Sequence, residues 1–354
     1  MISYFYYGFF ITTAVGNVGL MLVQNEWKLL FSQYLAFVGA WPMMFSCYVT
    51  RYNPEYIRMF WKIYDDIFPF LWPLRSMGKE QFDKFQKLSK LTTTASKIVI
   101  ALALITSTGG LPWYGDEYYV FLPVKIAVDY FDAWSSQIYL IIFYSSFYHI
   151  SLTIISNVFF LAYLGLHLYN QLEMLDLRLR NLLNGPDLNC ALEDTAYQEF
   201  VNAELISCIK LHQILLKFTE RVNELIYYPI FYYTIGGILI GLGVVFGPKT
   251  SITGAALRIG CISVMAVGVT AVFCTLGQKL ANESERVFIS ACSTPWYLWN
   301  SGNRKLLCFF LLKTQQLLIL SSSGLITINH VLLIRFYRAM YSALMFLLNV
   351  SRSA

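Results

Sequence analysis

The chain has 354 residues, of which 57% are apolar, 17% aromatic and only 13% charged. Soluble domains carry roughly 25% charged residues, so this composition excludes an ordinary water-soluble globule and points to the bilayer as solvent. The net charge of +5 is modest, and no segment is basic enough for a nucleic-acid footprint.

A membrane-spanning helix needs roughly 20 mainly apolar residues. The first such stretch, 3–24, lacks the basic start of a cleaved signal peptide and reads as a spanning helix. Further spans are predicted at 30–50, 97–114, 134–166, 223–247, 256–278 and 325–349. The fold class expected is therefore an all-α polytopic membrane protein with seven transmembrane helices. Polar connectors separate them at 51–96, 167–222 and 279–304. Within the second connector, Leu172, Leu175, Leu179 and Leu182 recur at helical spacing, as do Ile206, Ile209, Leu215 and Phe218. Both runs read as helices that extend spans four and five inward, with a turn or loop at 184–196 between them. The stretch 305–320 is short and interrupted by Lys313, Gln315 and Gln316, so it reads as a cytoplasmic helix that buries its apolar face against protein.

Charge orients the bundle. With a cytoplasmic N-terminus, the connectors 51–97, 167–222 and 279–313 lie inside and hold nine, five and five Lys/Arg. The outer connectors and the C-terminal tail hold five: Lys28, Lys125, Lys249, Arg258 and Arg352. That excess favours the N-terminus inside. It argues against a G-protein-coupled receptor, whose N-terminus is outside and whose D/E-R-Y and N-P-x-x-Y motifs are missing here. A transporter would need polar groups at mid-membrane and often an internal repeat; the sequence shows neither.

No catalytic motif, metal spacing or cofactor motif is present, so no enzyme is expected. The seven cysteines form no CxxC pair and read as buried thiols. Gly236, Gly237, Gly241 and Gly243 suggest close helix packing in span five. Arg335 and Arg338, three residues apart in the last span, share a helical face and suit either a pore or snorkelling to the inner headgroups. Counted from the predicted start of that span, Arg335 sits ten residues in, which is deep for snorkelling.

Several stretches resemble the insect odorant receptor family. They are Phe121-Leu122-Pro123, Phe131-Asp132 and Ser136-Gln137-Ile138-Tyr139; His167-Leu168 with Gln171-Leu172 and Leu175; and Cys208-Ile209-Lys210-Leu211-His212 with Asn223-Glu224. Pro295-Trp296-Tyr297, Leu306-Leu307, Gln315-Gln316, Arg338-Ala339-Met340-Tyr341-Ser342 and Leu347-Leu348 continue the series in the expected order. The resemblance implies the odorant-tuning subunit of a ligand-gated nonselective cation channel in the plasma membrane, partnered by co-receptor subunits in a heterotetramer. The related gustatory receptors carry a last-helix signature that this chain lacks.

The resemblance also implies a division of the chain: 1–304 as six spans with cytoplasmic extensions and an outer-half odorant pocket, and 305–354 as a cytoplasmic anchor helix followed by a pore-lining helix. It places a pocket for a small volatile organic ligand among spans two, three, four and six. Candidate walls are Tyr34, Phe37, Val38 and Trp41, then Leu104, Ser107 and Thr108, then Tyr139, Ile142 and Ser146. The last helix would offer Arg335 and Arg338 at the pore, with Phe346 at the hydrophobic constriction and Asn349 at a polar ring. Phe346 departs from the smaller aliphatic residue of the family pattern.

Overall fold

The structure is a computed structural model. It describes residues 53–73, 78–109, 111, 122–182, 194–246, 253–322 and 326–353, with Gly8, Phe45 and Ser46. The spans expected at 3–24 and 30–50 lie outside the described residues. Helices dominate the rest: α1 (Pro54–Asp66), α2 (Lys79–Gly109), α3 (Leu122–Tyr130), α4 (Ala133–Asn181), α5 (Thr195–Phe246), α6 (Thr253–Cys292), α7 (Ser301–Thr314) and α8 (His330–Ser353). Between α7 and α8 lies a small antiparallel hairpin, β1 (Ser321–Ser322) with β2 (Ile326–Thr327), which pairs Ser321 with Thr327.

Three expectations need correction. The connector 51–96 is largely helical: α1 occupies 54–66, and α2 begins at Lys79, well before the predicted span. The connector 279–304 continues α6 to Cys292. The stretch 305–320 is helical only to Thr314, and the last helix starts at His330 rather than 325, because the hairpin intervenes. Arg335 is therefore the sixth residue of α8, about 7 Å along the helix at 1.5 Å per residue. Snorkelling to a headgroup is within its reach.

Local chemistry explains the element ends. Asn53 caps α1 by accepting from Glu55 N–H at 2.9 Å, and Pro54 sits at the first helical position, where its missing N–H costs nothing. Asn300 caps α7 in the same way through Asn303 N–H at 2.8 Å. Gly78 opens α2 at φ 86°, a left-handed conformation that a side chain would oppose. The two helical runs predicted after span four and before span five are continuous with their spans, in helices of 49 residues for α4 and 52 for α5.

The packed core lies in the polar half of the chain. Leu164, Leu168, Leu172, Leu175, Leu179 and Leu182 form a buried seam along α4. It meets Val201, Leu205, Leu211, Leu215, Phe218 and Val222 on α5, and is closed by Leu280, Val287 and Ala291 of α6 and Leu307 and Phe310 of α7. The apolar half shows the reverse. Ile98, Leu102 and Ile105 on α2, Ile141 and Leu152 on α4, Phe231 on α5, Val272 on α6, and Ile334 and Phe346 on α8 are all exposed. Water would penalise each such side chain by about 1.5–3 kcal/mol relative to burial. Hydrocarbon removes that penalty. Two of the described helices, α2 through Phe82–Thr108 and α4, are by themselves long and apolar enough to cross a membrane.

Helix packing near the hairpin is very close. A Cβ built on Gly277 of α6 would overlap the backbone carbonyl oxygen of Ile328, just before α8. Backbone cannot yield as a side chain can, and overpacking typically costs about 1–3 kcal/mol. Gly277→Ala is expected to lower the Tm of the purified protein in detergent. Gly268→Ala, where nothing lies within 4 Å, is expected to leave it unchanged. Equal Tm values for the two variants would refute the close approach.

Candidate functional site

The described candidates for the ligand pocket come from α2 and α4, which pack side by side. Ser107 is buried, and its hydroxyl lies 2.7 Å from Ser151 Oγ of α4, within reach also of the Ala103 and Phe147 carbonyls. Thr108 Oγ1 lies 2.9 Å from the Tyr148 hydroxyl and also reaches the Leu104 carbonyl at 2.7 Å. These two hydroxyls are polar joints between helices in a region where hydrocarbon offers no alternative partner. Ser146 is buried, and its hydroxyl donates to Phe143 O at 2.6 Å on its own helix. Tyr139 stacks edge-on with Phe131 at 5.5 Å, Ile142 is half-buried, and Leu104 is 38% exposed.

A small aromatic cluster sits at this end: Val124 of α3 with Phe143 and Tyr144, flanked by Leu111, Tyr139, Leu140 and Phe147. The structure thus brings Ser107 and Thr108 against Phe147, Tyr148 and Ser151, and places Tyr139 beside the neighbouring cluster of Val124, Phe143 and Tyr144. The four-residue spacing of Phe143, Phe147 and Ser151 is the signal in the sequence that marks this inner face. Tyr34, Phe37, Val38 and Trp41 lie outside the described residues.

The last helix presents a second surface. Asn329 accepts from Leu332 N–H at 2.9 Å and caps α8. Phe336 seats on Gly237 of α5, where a Cβ would come within 3.3 Å of the ring, the close packing expected for that position. Arg335, Arg338, Phe346 and Asn349 lie off that contact and are all exposed. At about 100° per residue these four fall within an arc of about 80°. Arg335 and Phe346 stand three turns apart on one line, and Arg338 and Asn349 on the next. Arg335 and Arg338 enter none of the ion pairs among the described residues.

Beneath both surfaces, side-chain amides knit the core. Gln198 donates to Leu298 O at 2.9 Å and accepts from Asn300 N–H at 2.8 Å, while Asn303 donates to both oxygens of Gln198 and accepts from Asn202 at 2.9 Å. Trp299, fully buried, donates its ring N–H to Tyr197 Oη at 3.2 Å. Gln171 closes a two-point clamp on the Trp72 backbone, donating at 3.0 Å and accepting at 3.2 Å. Arg178 lies 3.9 Å over the Trp72 ring. Asp176 accepts from Ser290 and pairs with Arg180 at 3.0 Å, and Glu283 pairs with Arg286 at 2.9 Å. Among the described residues no group of His, Cys, Asp or Glu is arranged to hold a metal.

The 7tm odorant receptor family matches residues 71–341, about three quarters of the chain. The chain belongs to that family. This odorant receptor is also similar in fold to the solved insect olfactory receptor OR5 from Machilis hrabei, at 13% identity and a TM-score of 0.67, covering 98% of this chain and 88% of that one. The same receptor in complex with eugenol gives 14% identity, a TM-score of 0.64 and the same coverage. No curated protein matches the chain by sequence. The family is one of membrane receptors and not of enzymes, in line with the composition and with the exposed apolar half of the fold.

One group in the odorant receptor's polar core reports on pH. Burial pushes His212, whose ring meets Phe310 edge-on at 5.5 Å, down to about 4 from its ordinary 6.5. Between those values the unfolded chain binds a proton and the folded one does not. Stability conferred by the neutral ring is complete above pH 6.5 and is lost as pH falls through this window. At pH 5 the loss is about 2 kcal/mol. Glu173 and Glu283, raised first by burial, act in the opposite sense, so the variant difference isolates the histidine. His212→Gln is expected to lose fewer degrees of Tm than the wild type between pH 7 and pH 5. Parallel Tm–pH curves would refute the assignment.

Proposed function

We propose that this chain is the odorant-binding subunit of a ligand-gated nonselective cation channel, assembled with co-receptor subunits into a heterotetramer in the plasma membrane. The observation that carries the reading is the outward stripe of α8. Arg335, Arg338, Phe346 and Asn349 lie within one narrow arc and face away from the subunit's own helices. In a single chain such a face would meet lipid, with Phe346 in hydrocarbon and Arg335 and Arg338 drawn to the headgroups and Asn349 left without water. Several chains around an axis turn the same face into the wall of a water path, with Phe346 narrowing it by dewetting.

Two further features agree. The anchor helix α7 exposes Phe309 and Leu312 beyond the core, which suits contact with neighbouring subunits. The outer wall of Tyr139, Ile142, Ser146, Ser107 and Thr108, together with Tyr34, Phe37, Val38, Trp41 and Leu104 from the sequence, offers aromatic area with few hydroxyls. That chemistry fits a small volatile organic molecule. The eugenol complex of the Machilis hrabei receptor is one such pairing in a similar fold. Binding would open the channel to the extent that the ligand prefers the dilated state. A G-protein-coupled or gustatory-type chemoreceptor is the alternative.

Outside-out patches without nucleotides decide between them. Cells carry this chain with and without the family co-receptor, and the panel spans volatile esters, alcohols, aldehydes and eugenol. Rapid evoked cation current that needs both chains is expected; surface binding with no current in either condition refutes the channel. Within the channel, Tyr139→Ala is expected to raise the EC50 about fivefold, on the order of 1 kcal/mol for a lost aromatic contact, with surface expression intact. Arg338→Gln is expected to raise single-channel cation conductance, most strongly at low salt, because a fixed positive charge at a pore mouth repels the permeant ion. Unchanged conductance would remove Arg338 from the pore.

A further inference from the structure

The connector Leu318–Asn329 is the covalent link between α7 and the last helix, and several of its described residues are tied down. Leu318 N–H donates to Ser284 Oγ of α6 at 2.9 Å. Asn223 of α5 uses both ends of its amide: Nδ2 donates to Ile319 O at 3.0 Å and Oδ1 accepts from Ser321 N–H at 2.9 Å. Ser322 Oγ donates to Tyr227 O of α5 at 2.9 Å, and Ile328 N–H donates to Leu320 O at 2.9 Å. Gly277 of α6 lies directly against the Ile328 carbonyl.

The position of these ties along α5 matters. Pro229 lies inside α5, and its ring nitrogen cannot donate to the Leu225 carbonyl, so the helix is weakest between 225 and 229. Asn223 ties the connector on the side of that break that carries the buried leucine seam, and Tyr227 holds it from within the weakened turn. Phe336, in the second turn of α8, rests instead on Gly237, on the other side of the break. The base of α8 and its shaft are therefore referred to two halves of α5 that can bend relative to each other.

We propose that Asn223 is the positioning residue that fixes the pivot of the last helix, so that displacement of the membrane half of α5 tilts α8 about a stationary base. The amide is suited to this because one partner is an acceptor and the other a donor, a pattern that admits one orientation only. Aspartate is the same size and keeps the acceptor, but it faces the Ile319 carbonyl with a second oxygen and repels it. The inference rests on the channel reading.

The test uses the full chain co-expressed with the co-receptor, comparing wild type, Asn223→Asp and Ser322→Ala for surface label, EC50 and current at saturating odorant. Asn223→Asp is expected to reduce saturating current at least fivefold and to raise the EC50, with surface label within twofold of wild type. Ser322→Ala, which removes the neighbouring tie to Tyr227, is expected to shift both in the same direction by less. A merely structural role would lower surface label and current together and leave the EC50 unmoved in both variants, which overturns the proposal. Unchanged saturating current and EC50 at normal surface label overturn it as well. Should Asn223→Asp fail to reach the surface, Ser322→Ala decides by the same criteria. Absence of any wild-type current sinks the channel reading and this inference with it, whereas a normal wild-type current with unaffected variants sinks the inference alone.

Discussion

The leucine seam between α4 and α5 is the contact on which the rest of the structure depends. Apolar side chains gain free energy from meeting each other only where the alternative is water. In hydrocarbon that drive vanishes, and helices associate through close packing and polar joints. The chain follows this division. Its dense core, from Leu164 to Leu182 on α4 and from Val201 to Val222 on α5, lies in the half with the polar connectors. Its apolar half is held by lighter devices: the Ser107–Ser151 and Thr108–Tyr148 hydroxyl contacts, and Phe336 on Gly237. One half is strongly packed through apolar burial, and the other is held by fewer and lighter contacts.

The amide network completes the strong half. Gln198, Asn202 and Asn303 sit where apolar residues would pack as well, yet each finds partners of fixed direction. A leucine core alone tolerates sliding along its seam. Hydrogen bonds between Gln198 and the Leu298–Asn303 turn set one register of α7 on α5, since an unsatisfied buried amide costs about 1–3 kcal/mol. The same logic applies to Gln171 on the Trp72 backbone, which fixes how the chain passes from α1 toward α2.

Much of this was legible in the residues before any coordinates. The helical spacing of Leu172, Leu175, Leu179 and Leu182 announced the inward extension of α4, and the same run is now the core. Apolar runs marked the membrane half because lipid demands them at every exposed position. What the sequence concealed has a physical reason in each case. The charged start of α2 reads as a connector because Lys84, Lys87 and Lys90 face solvent on a helix held by its neighbours. The hairpin before α8 escaped notice because two-residue strands carry no period, and its ties come from Asn223 and Ser284, about a hundred and about thirty-five residues earlier in the chain. At the contact of α2 with α4, Ser107 and Thr108 were readable as small polar positions on one helical face, and both meet α4. Phe143, Phe147 and Tyr148 were lost among the many aromatics of α4.

Helix α4 runs unbroken for 49 residues, about 73 Å at 1.5 Å per residue, where a hydrocarbon layer is about 30 Å thick. No proline or loop interrupts it, in contrast to α5 with Pro229. Tyr139 near one end and Arg178 near the other are therefore parts of a single rod. A strut of this kind does not store a disturbance in a joint; it hands it on whole. The aromatic cluster around Phe143 and the buried seam from Leu164 to Leu182 therefore share one backbone, so the register of one end along the helix axis is set by the packing of the other.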